Sequence, residues 1–470
     1  MEDSPNRIET DSLGEVPVPA DALYGAQTVR AIENFPISGR EMPQPVIAAL
    51  AAIKQAAAAV NCKLGLLDED IAKYIGEAAE EILTGHWEDQ FPVDVFQTGS
   101  GTSTNMNVNE VIANRAIQLA GGEAGSKTPV HPNDHVNLGQ SSNDVIPSAM
   151  QVAAAVQIHH WLVPELRDLT DALAAKADEF KDVIKIGRTH LQDAVPVSLG
   201  QEFTGYAAAL ERTTDRLEGC LESLCELPLG GTAVGTGLNT HPRFAVGVCQ
   251  RLSEGFEMAF REAGEHFSAQ SCPQAVVAVA AALKGAAIAM GKIASDIRLL
   301  ASGPRCGLGE LNLPAVQPGS SIMPGKVNPV LCESVIQVAC QITGCEAAIA
   351  AGATGGVGSI LELNMAMPMM AANLLESITL LAGAAEAFRT KCIEGITANV
   401  DRCGELVEQS LAMCTALAKA IGYDAAADIA KQAYAQVKTV RQVAEEKKVL
   451  PAEQLRKLLD PRRQADGSGD

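Results

Sequence analysis

The sequence predicts an all-α fold, on three observations. Aromatic residues make up only 4% of the chain while 47% of it is hydrophobic. The core must therefore be built from Ala, Leu, Val and Ile, which suits close-packed helices better than aromatic-rich strands. Leu162, Leu166, Leu169 and Leu173 recur at spacings of four, three and four, which places them on one helical stripe. Several long alanine-rich segments are separated by glycine-rich joints, the pattern of an extended bundle.

Taken in order, residues 1–141 read as an N-terminal mixed, mainly helical domain. Within it "VPVPADALYGAQTVRAIENFPISG" lacks sustained periodicity, "PVIAALAAIKQAAAAVN" is a helix, and "TGSGTSTNMNVNEV" turns into another. Residues 142–396 read as a central helical bundle, broken most clearly at "LPLGGTAVGTGLNTHPRFA". Its longest apolar stretch, "AVVAVAAALKGAAIAM", is interrupted by Lys284 and reads as a buried helix, too short and too weak to span a bilayer. Past residue 396 the helices shorten, and 397–470 read as a small C-terminal helical domain whose last residues, "QADGSGD", are expected to be disordered. A bundle with such long apolar stripes seldom buries all of them in one chain, so self-association is expected.

A net charge of −21 argues against nucleic acid or an anionic membrane as a partner. An anionic ligand would need a local positive island. The N-terminus "MEDSPNRIETDS" has neither the basic and apolar regions of a secretory signal nor the Arg-rich pattern of a transit peptide, so the chain reads as cytosolic. The 12 cysteines form no CxxC pair and no Cys/His cluster at zinc spacing, and read as reduced, buried small hydrophobes. Nucleotide, metalloprotease and serine-hydrolase motifs are missing from any suitable context, and nothing visible calls for a cofactor or a metal.

Four polar segments interrupt the helical text: "TGSGTSTNMNVNE", "HPNDHVNLGQSSND", "GRTHLQDAVP" and "PGSSIMPGKVNPV". In the last, Pro-Gly pairs at 318–319 and 324–325 make Ser320 to Met323 a loop between two turns. Asn328-Pro329 then reads as a helix start, with Asn328 as N-cap and Pro329 in the first helical position. Free N–H groups at that start, with Lys326 beside them, suit an anion. Ser100, Thr102, Ser141, Ser142, Asn143, Thr189, Lys326 and Asn328 supply hydroxyls, amides and one cation without competing carboxylates, which together suit a small substrate with two carboxylates. His190 becomes a base only with a partner. Glu333, just inside the helix opened by Asn328-Pro329, is the candidate that would make the far ring nitrogen more basic.

These segments resemble a known family. "GSSIMPGKVNP" is similar to the signature of the fumarase/aspartase superfamily, and "TGSGTSTNMNVNEVIANRA", "VHPNDHVN", "QSSND", "IGRTHLQDAVP" and "GGTAVGTGLNTHP" resemble class II fumarase blocks in the expected order, from about Arg7 to about Arg462. The resemblance implies an all-α, three-domain fold whose long central helical bundle forms a twenty-helix core in a homotetramer, with active sites where three subunits meet. It implies reversible anti addition of water to fumarate giving (S)-malate. In that reading Ser320 removes the C3 proton. Lys326, Asn328 and loop N–H groups stabilise the aci-carboxylate, and His190 with Glu333 protonates the departing water. Ser100, Thr102, Ser141, Ser142, Asn143 and Thr189 bind substrate carboxylates, and His131, Asn133 and Asp134 match a secondary dicarboxylate site. The alternative is aspartate ammonia-lyase, which uses the same loop. Those enzymes usually carry Gln where this chain has His190, so His190 favours water over ammonia as the leaving group. A non-catalytic structural protein is the remaining class, and the intact Ser320, Lys326, Asn328, His190 and Glu333 set argues against it.

Overall fold

In the computed structural model, residues 6–466 are described, and the backbone follows the helical text closely. The alanine-rich stretch after Pro43 forms helix Gln44–Lys63, and Pro suits the position before a helix because no N–H is lost there. "TGSGTSTNMNVNEV" enters helix Thr102–Leu119 through Gly101, whose φ of 73° is left-handed. Leu162, Leu166, Leu169 and Leu173 are all fully buried, so the leucine stripe is the inner face of its helix. Among the described residues the strands form five two-stranded pairs.

The chain divides into two units. The first comprises residues 1–164, 215–285 and 340–381, and the second comprises 165–214, 286–339 and 382–470. Helices Leu199–Gly219, Gln274–Leu300, Val330–Ala353 and Met367–Lys391 contribute residues to both.

In the first unit, helix Gln44–Lys63 packs on Glu69–Leu83, Ser142–Gln157 and Phe244–Phe256. Thirteen of its residues are buried, so it is apolar nearly all round. The segment read as lacking periodicity, Val16 to Gly39, begins with the end of strand Gly14–Pro19, which pairs with Asn6–Asp11, but goes on to form helix Ala26–Asn34. Glu110 binds the start of that helix: its carboxylate accepts from the N–H groups of Gly25, Gln27 and Thr28 and from the Thr28 hydroxyl. Burial pushes this carboxyl's pKa up, and the four donors oppose the shift.

In the second unit, hairpin Ile184–Thr189/Gln192–Ser198 packs against a cluster of short helices that includes Val400–Gln409, Tyr423–Gln436 and Val440–Glu446. Ile186 from the hairpin joins Val407, Leu417, Ile429 and Val443 in one apolar core. The shortening of helices past residue 396 is thus real. Gln464 and Ala465, expected to be disordered, close the short helix Pro461–Ala465 because Asp460 caps its first turn; Gly467 to Asp470 lie outside the described residues.

Two other expectations need correction. The longest apolar stretch belongs to Gln274–Leu300, and four helices among the described residues are long and apolar enough to cross a membrane by length and composition alone. Gln274–Leu300 is also less buried than expected, at 44% of its most apolar window. The cysteines are free, as expected, and Cys225, Cys249, Cys332, Cys345, Cys392 and Cys403 are buried, but Cys272, Cys306 and Cys340 are exposed.

Candidate active site

The hydroxyls of the first unit converge on two helix starts. Thr102 opens one helix and Ser142 the other, and their side-chain oxygens lie 2.7 Å apart. Ser100 Oγ extends the chain at 2.8 Å from Thr102 Oγ1. The close approach depends on Gly101, where a Cβ would sit 2.8 Å from the Ile146 side chain. Gly101 offers no side-chain cap to Thr102–Leu119. Ser141 caps the second helix: its Oγ accepts from Asn143 N at 3.3 Å, while Ser141 N donates to Asp144 Oδ1 at 2.9 Å. Asn143 Nδ2 donates to Ala233 O at 2.7 Å and ties this start to the glycine-rich loop after Leu229. Two helix N-termini side by side, bordered by hydroxyls, suit a carboxylate.

Beneath them lie two ionisable groups that the sequence did not single out. Asp144 is fully buried and accepts from Gly230 N and Thr232 N at 3.0 and 2.9 Å, fixing the glycine-rich loop. Burial pushes its carboxyl upward, opposed by these N–H groups and by Lys54. Lys54 is also fully buried, and its Nζ donates to Asn137 Oδ1 and Gln140 Oε1. A polar residue one turn inside a helix N-terminus is the only sequence signal for Asp144, and Lys54 carries none within its alanine run.

The second unit holds the loop and the histidine. Ser320 Oγ accepts the backbone N–H groups of Met323 at 3.0 Å and Ile322 at 3.3 Å. The loop is irregular from Leu313 to Pro329 and folds round a cleft of about 450 Å³ that includes Gly319, Ser320 and Lys326. Asn328 does not cap the following helix, which starts at Val330. Its amide instead donates to Gly319 O at 2.6 Å and closes the base of the loop. At Gly319 a Cβ would stand 2.0 Å from Lys326 O, so only glycine allows the two sides of the loop to meet. Lys326 and Glu333 are exposed, and Ser320 and Asn328 are half-buried.

Thr189 and His190 sit at an exposed hairpin tip. His190 and Leu191 form its two-residue turn with φ of 55° and 59°, the left-handed pair that a tight right-twisted hairpin demands. A largely buried ionic cluster fixes the hairpin. Arg188 donates to both oxygens of Glu310 at 2.9 and 3.0 Å, and Lys185 Nζ lies 2.8 Å from Glu202 and 3.5 Å from Glu310. Burial pushes the Glu202 carboxyl up, against the pull of Lys185. Glu310 also precedes strand Leu311–Asn312, which leads into the Ser320 loop. Within one chain, among the described residues, His190 and Glu333 make no hydrogen bond or ion pair to each other.

His131, Asn133 and Asp134 share one wide turn, Pro132–Val136. His131 Nδ1 accepts from Asn133 N and Asp134 N at 3.2 and 3.1 Å, so that ring nitrogen is spent on capping the turn. Burial lowers the pKa of His135, whose Nδ1 accepts from His131 N. Among the described residues no group of three or more His, Cys, Asp or Glu side chains is arranged to hold a metal.

Comparison with known proteins shows the family. The family described as Lyase matches residues 14–344, and the one described as Fumarase C C-terminus matches residues 413–463. The class II fumarate hydratase of Halobacterium salinarum is 53% identical over 97% of this chain and 96% of its own. The mitochondrial fumarate hydratase of Rattus norvegicus is 50% identical over 97% and 90%. The crystal structure of class II fumarase from Schistosoma mansoni superimposes with a TM-score of 0.94 at 40% identity, covering 98% of this chain and 99% of that one. A fumarate lyase:delta crystallin structure from Brucella melitensis gives 0.93 at 46% identity, covering 98% and 99%.

Proposed function

The chain belongs to the class II fumarate hydratase family, and on that premise we propose how its residues carry out the reversible anti addition of water to fumarate, giving (S)-malate. The observation that carries the mechanism is the Ser320 oxygen receiving two backbone N–H bonds. A serine hydroxyl is a weak base because its alkoxide is costly in water. Two fixed donors, with the Lys326 charge on the same loop, lower that cost. In the malate direction the Ser320 alkoxide takes the C3 proton and becomes neutral. The electron pair moves into the adjacent carboxylate as an aci-dianion, which Lys326, Asn328 and loop N–H groups hold. Collapse of the dianion expels the C2 hydroxyl, protonated through His190, as water.

Ser100, Thr102, Ser141, Ser142, Asn143 and Thr189 bind the substrate carboxylates. His190 and Ser320 reach one substrate when several copies of the chain assemble, and a homotetramer with each site drawn from three subunits supplies the Glu333 partner for His190. Assembly also covers the half-exposed apolar helices such as Val330–Ala353, 28% buried in its apolar window, in place of lipid. The division into 1–141, 142–396 and 397–470 describes how the chain serves that assembly. His131, Asn133 and Asp134 form a second dicarboxylate site, and the enzyme works in the cytoplasm without a cofactor.

The experiment is turnover of (S)-malate by purified protein, followed as formation of the conjugated double bond, with aspartate in parallel and Ser320→Ala as control. Activity with malate alone, lost in the variant, supports the reading. Activity with aspartate alone makes the chain an ammonia-lyase.

A further inference from the structure

We infer that Lys54 is a positioning residue for the known reaction: its buried ammonium is the counter-charge placed under the two helix N-termini that receive a substrate carboxylate. The inference rests on the assignment of Ser100, Thr102, Ser141, Ser142 and Asn143 to carboxylate binding.

Lys54 lies in helix Gln44–Lys63 and is 0% exposed. Its Nζ donates to Asn137 Oδ1 at 2.8 Å and Gln140 Oε1 at 2.9 Å, both neutral amides. Gln140 immediately precedes the Ser141 cap. Asn137 Oδ1 also accepts from Asn105 and Asn109 at 3.2 and 3.3 Å, and Asn105 lies about one turn along the helix that Thr102 opens. Asn61, two turns along the helix of Lys54, donates to Leu138 O at 3.0 Å. One helix thus supports both N-termini through a single amide cluster, with a charge at its centre.

The charge is what needs explaining. Burying an ammonium without a bonded carboxylate is costly, and burial pushes this one down to about 7, with only Asp144 pulling the other way. A neutral donor would pin the turn 137–141 at lower cost. A cation is useful there if an anion arrives above it, because its field acts through low-dielectric protein and adds to the two helix dipoles. In a chain of net charge −21, it adds a local positive contribution for a dianionic substrate alongside that of Lys326.

The test compares the full-length protein with Lys54→Met, which has similar length and no charge. The readouts are kcat, KM for malate and fumarate, the inhibition constant of succinate as an unreactive dicarboxylate, and the melting temperature. KM and the succinate constant are expected to rise about tenfold or more, with kcat within about threefold and the melting temperature not lowered. Unchanged KM and succinate constants, or a fall in kcat with KM intact, overturn the inference and leave Lys54 a structural pin. If Lys54→Met does not fold, Lys54→Gln, which keeps an N–H donor without the charge, is held to the same criteria. A parent protein that hydrates no fumarate refutes the functional reading instead. Succinate binding by calorimetry, in parent and variant, then decides the role of Lys54 separately.

Discussion

Removing the charge of Glu310 should both destabilise the chain and misplace its histidine. The Glu310 side chain is 0% exposed, Lys185 is 1% and Arg188 13% exposed. Glu310→Gln keeps shape but leaves a guanidinium and an ammonium buried, with Glu202 the one remaining carboxylate at 2.8 Å from Lys185. Breaking a buried pair from one side costs about 3–5 kcal/mol, because the remaining charge stays desolvated. Arg188→Met alone should cost a similar amount. Combining Arg188→Met with Glu310→Leu should recover most of it, to within about 2 kcal/mol of the parent, since apolar residues of like volume replace such pairs well. The assay is the guanidinium midpoint at fixed protein concentration, with kcat for malate alongside. Because Arg188 and Lys185 lie on the hairpin that carries Thr189 and His190, the single variants should also lose about tenfold or more in kcat. Additive losses in the double variant, or a single-variant loss under about 1 kcal/mol, would refute the argument that one desolvated carboxylate holds the hairpin.

Three further outcomes are expected. Ser320→Ala should lower kcat by a factor of about 100 to 10,000 while the succinate inhibition constant stays within about threefold, because in the proposed mechanism the hydroxyl acts on the proton and not on the carboxylates; steady-state kinetics decide it. Leu191→Asn should stabilise the protein by about 1 kcal/mol in denaturant unfolding, since Asn tolerates the left-handed φ of 59° better than leucine. The folded Lys54 binds fewer protons than the unfolded chain between about 7 and 10.5, so its share of stability rises with pH across that window. Stability differences between the parent and Lys54→Met, measured from pH 6 to pH 10 (an interval of about 4 units), should shift toward the parent by up to about 4 kcal/mol, and a flat difference would contradict the burial argument.

What the sequence made legible follows from local chemistry. Pro-Gly pairs mark the 318–325 loop, a four-three-four leucine spacing marks a buried stripe, and clustered hydroxyls mark two helix starts. The hairpin behind His190 was not legible, because its turn residues are histidine and leucine where sequence rules look for Asn-Gly. The positive φ follows from the two-residue connection between Thr189 and Gln192, which a tight hairpin closes with a left-handed pair. Asn328 has the chemistry of an N-cap, yet a tertiary contact, Gly319 O at 2.6 Å, takes its amide instead. Lys54 is hidden for another reason: in an alanine run a lysine reads as a solvated face, and only the packed turn 137–140 shows that it is interior. The proposed pairing of His190 with Glu333 cannot be read from local chemistry, since a contact made only between copies of a chain leaves no trace in spacing along it.

The most direct test of the account is the ultraviolet absorbance of purified protein mixed with (S)-malate, beside the same mixture with Ser320→Ala. Absorbance that rises as fumarate forms, and does not rise with the variant, is the result the loop chemistry predicts. An equal rise with the variant would show that Ser320 and its two backbone donors are not the base, and would contradict the central claim.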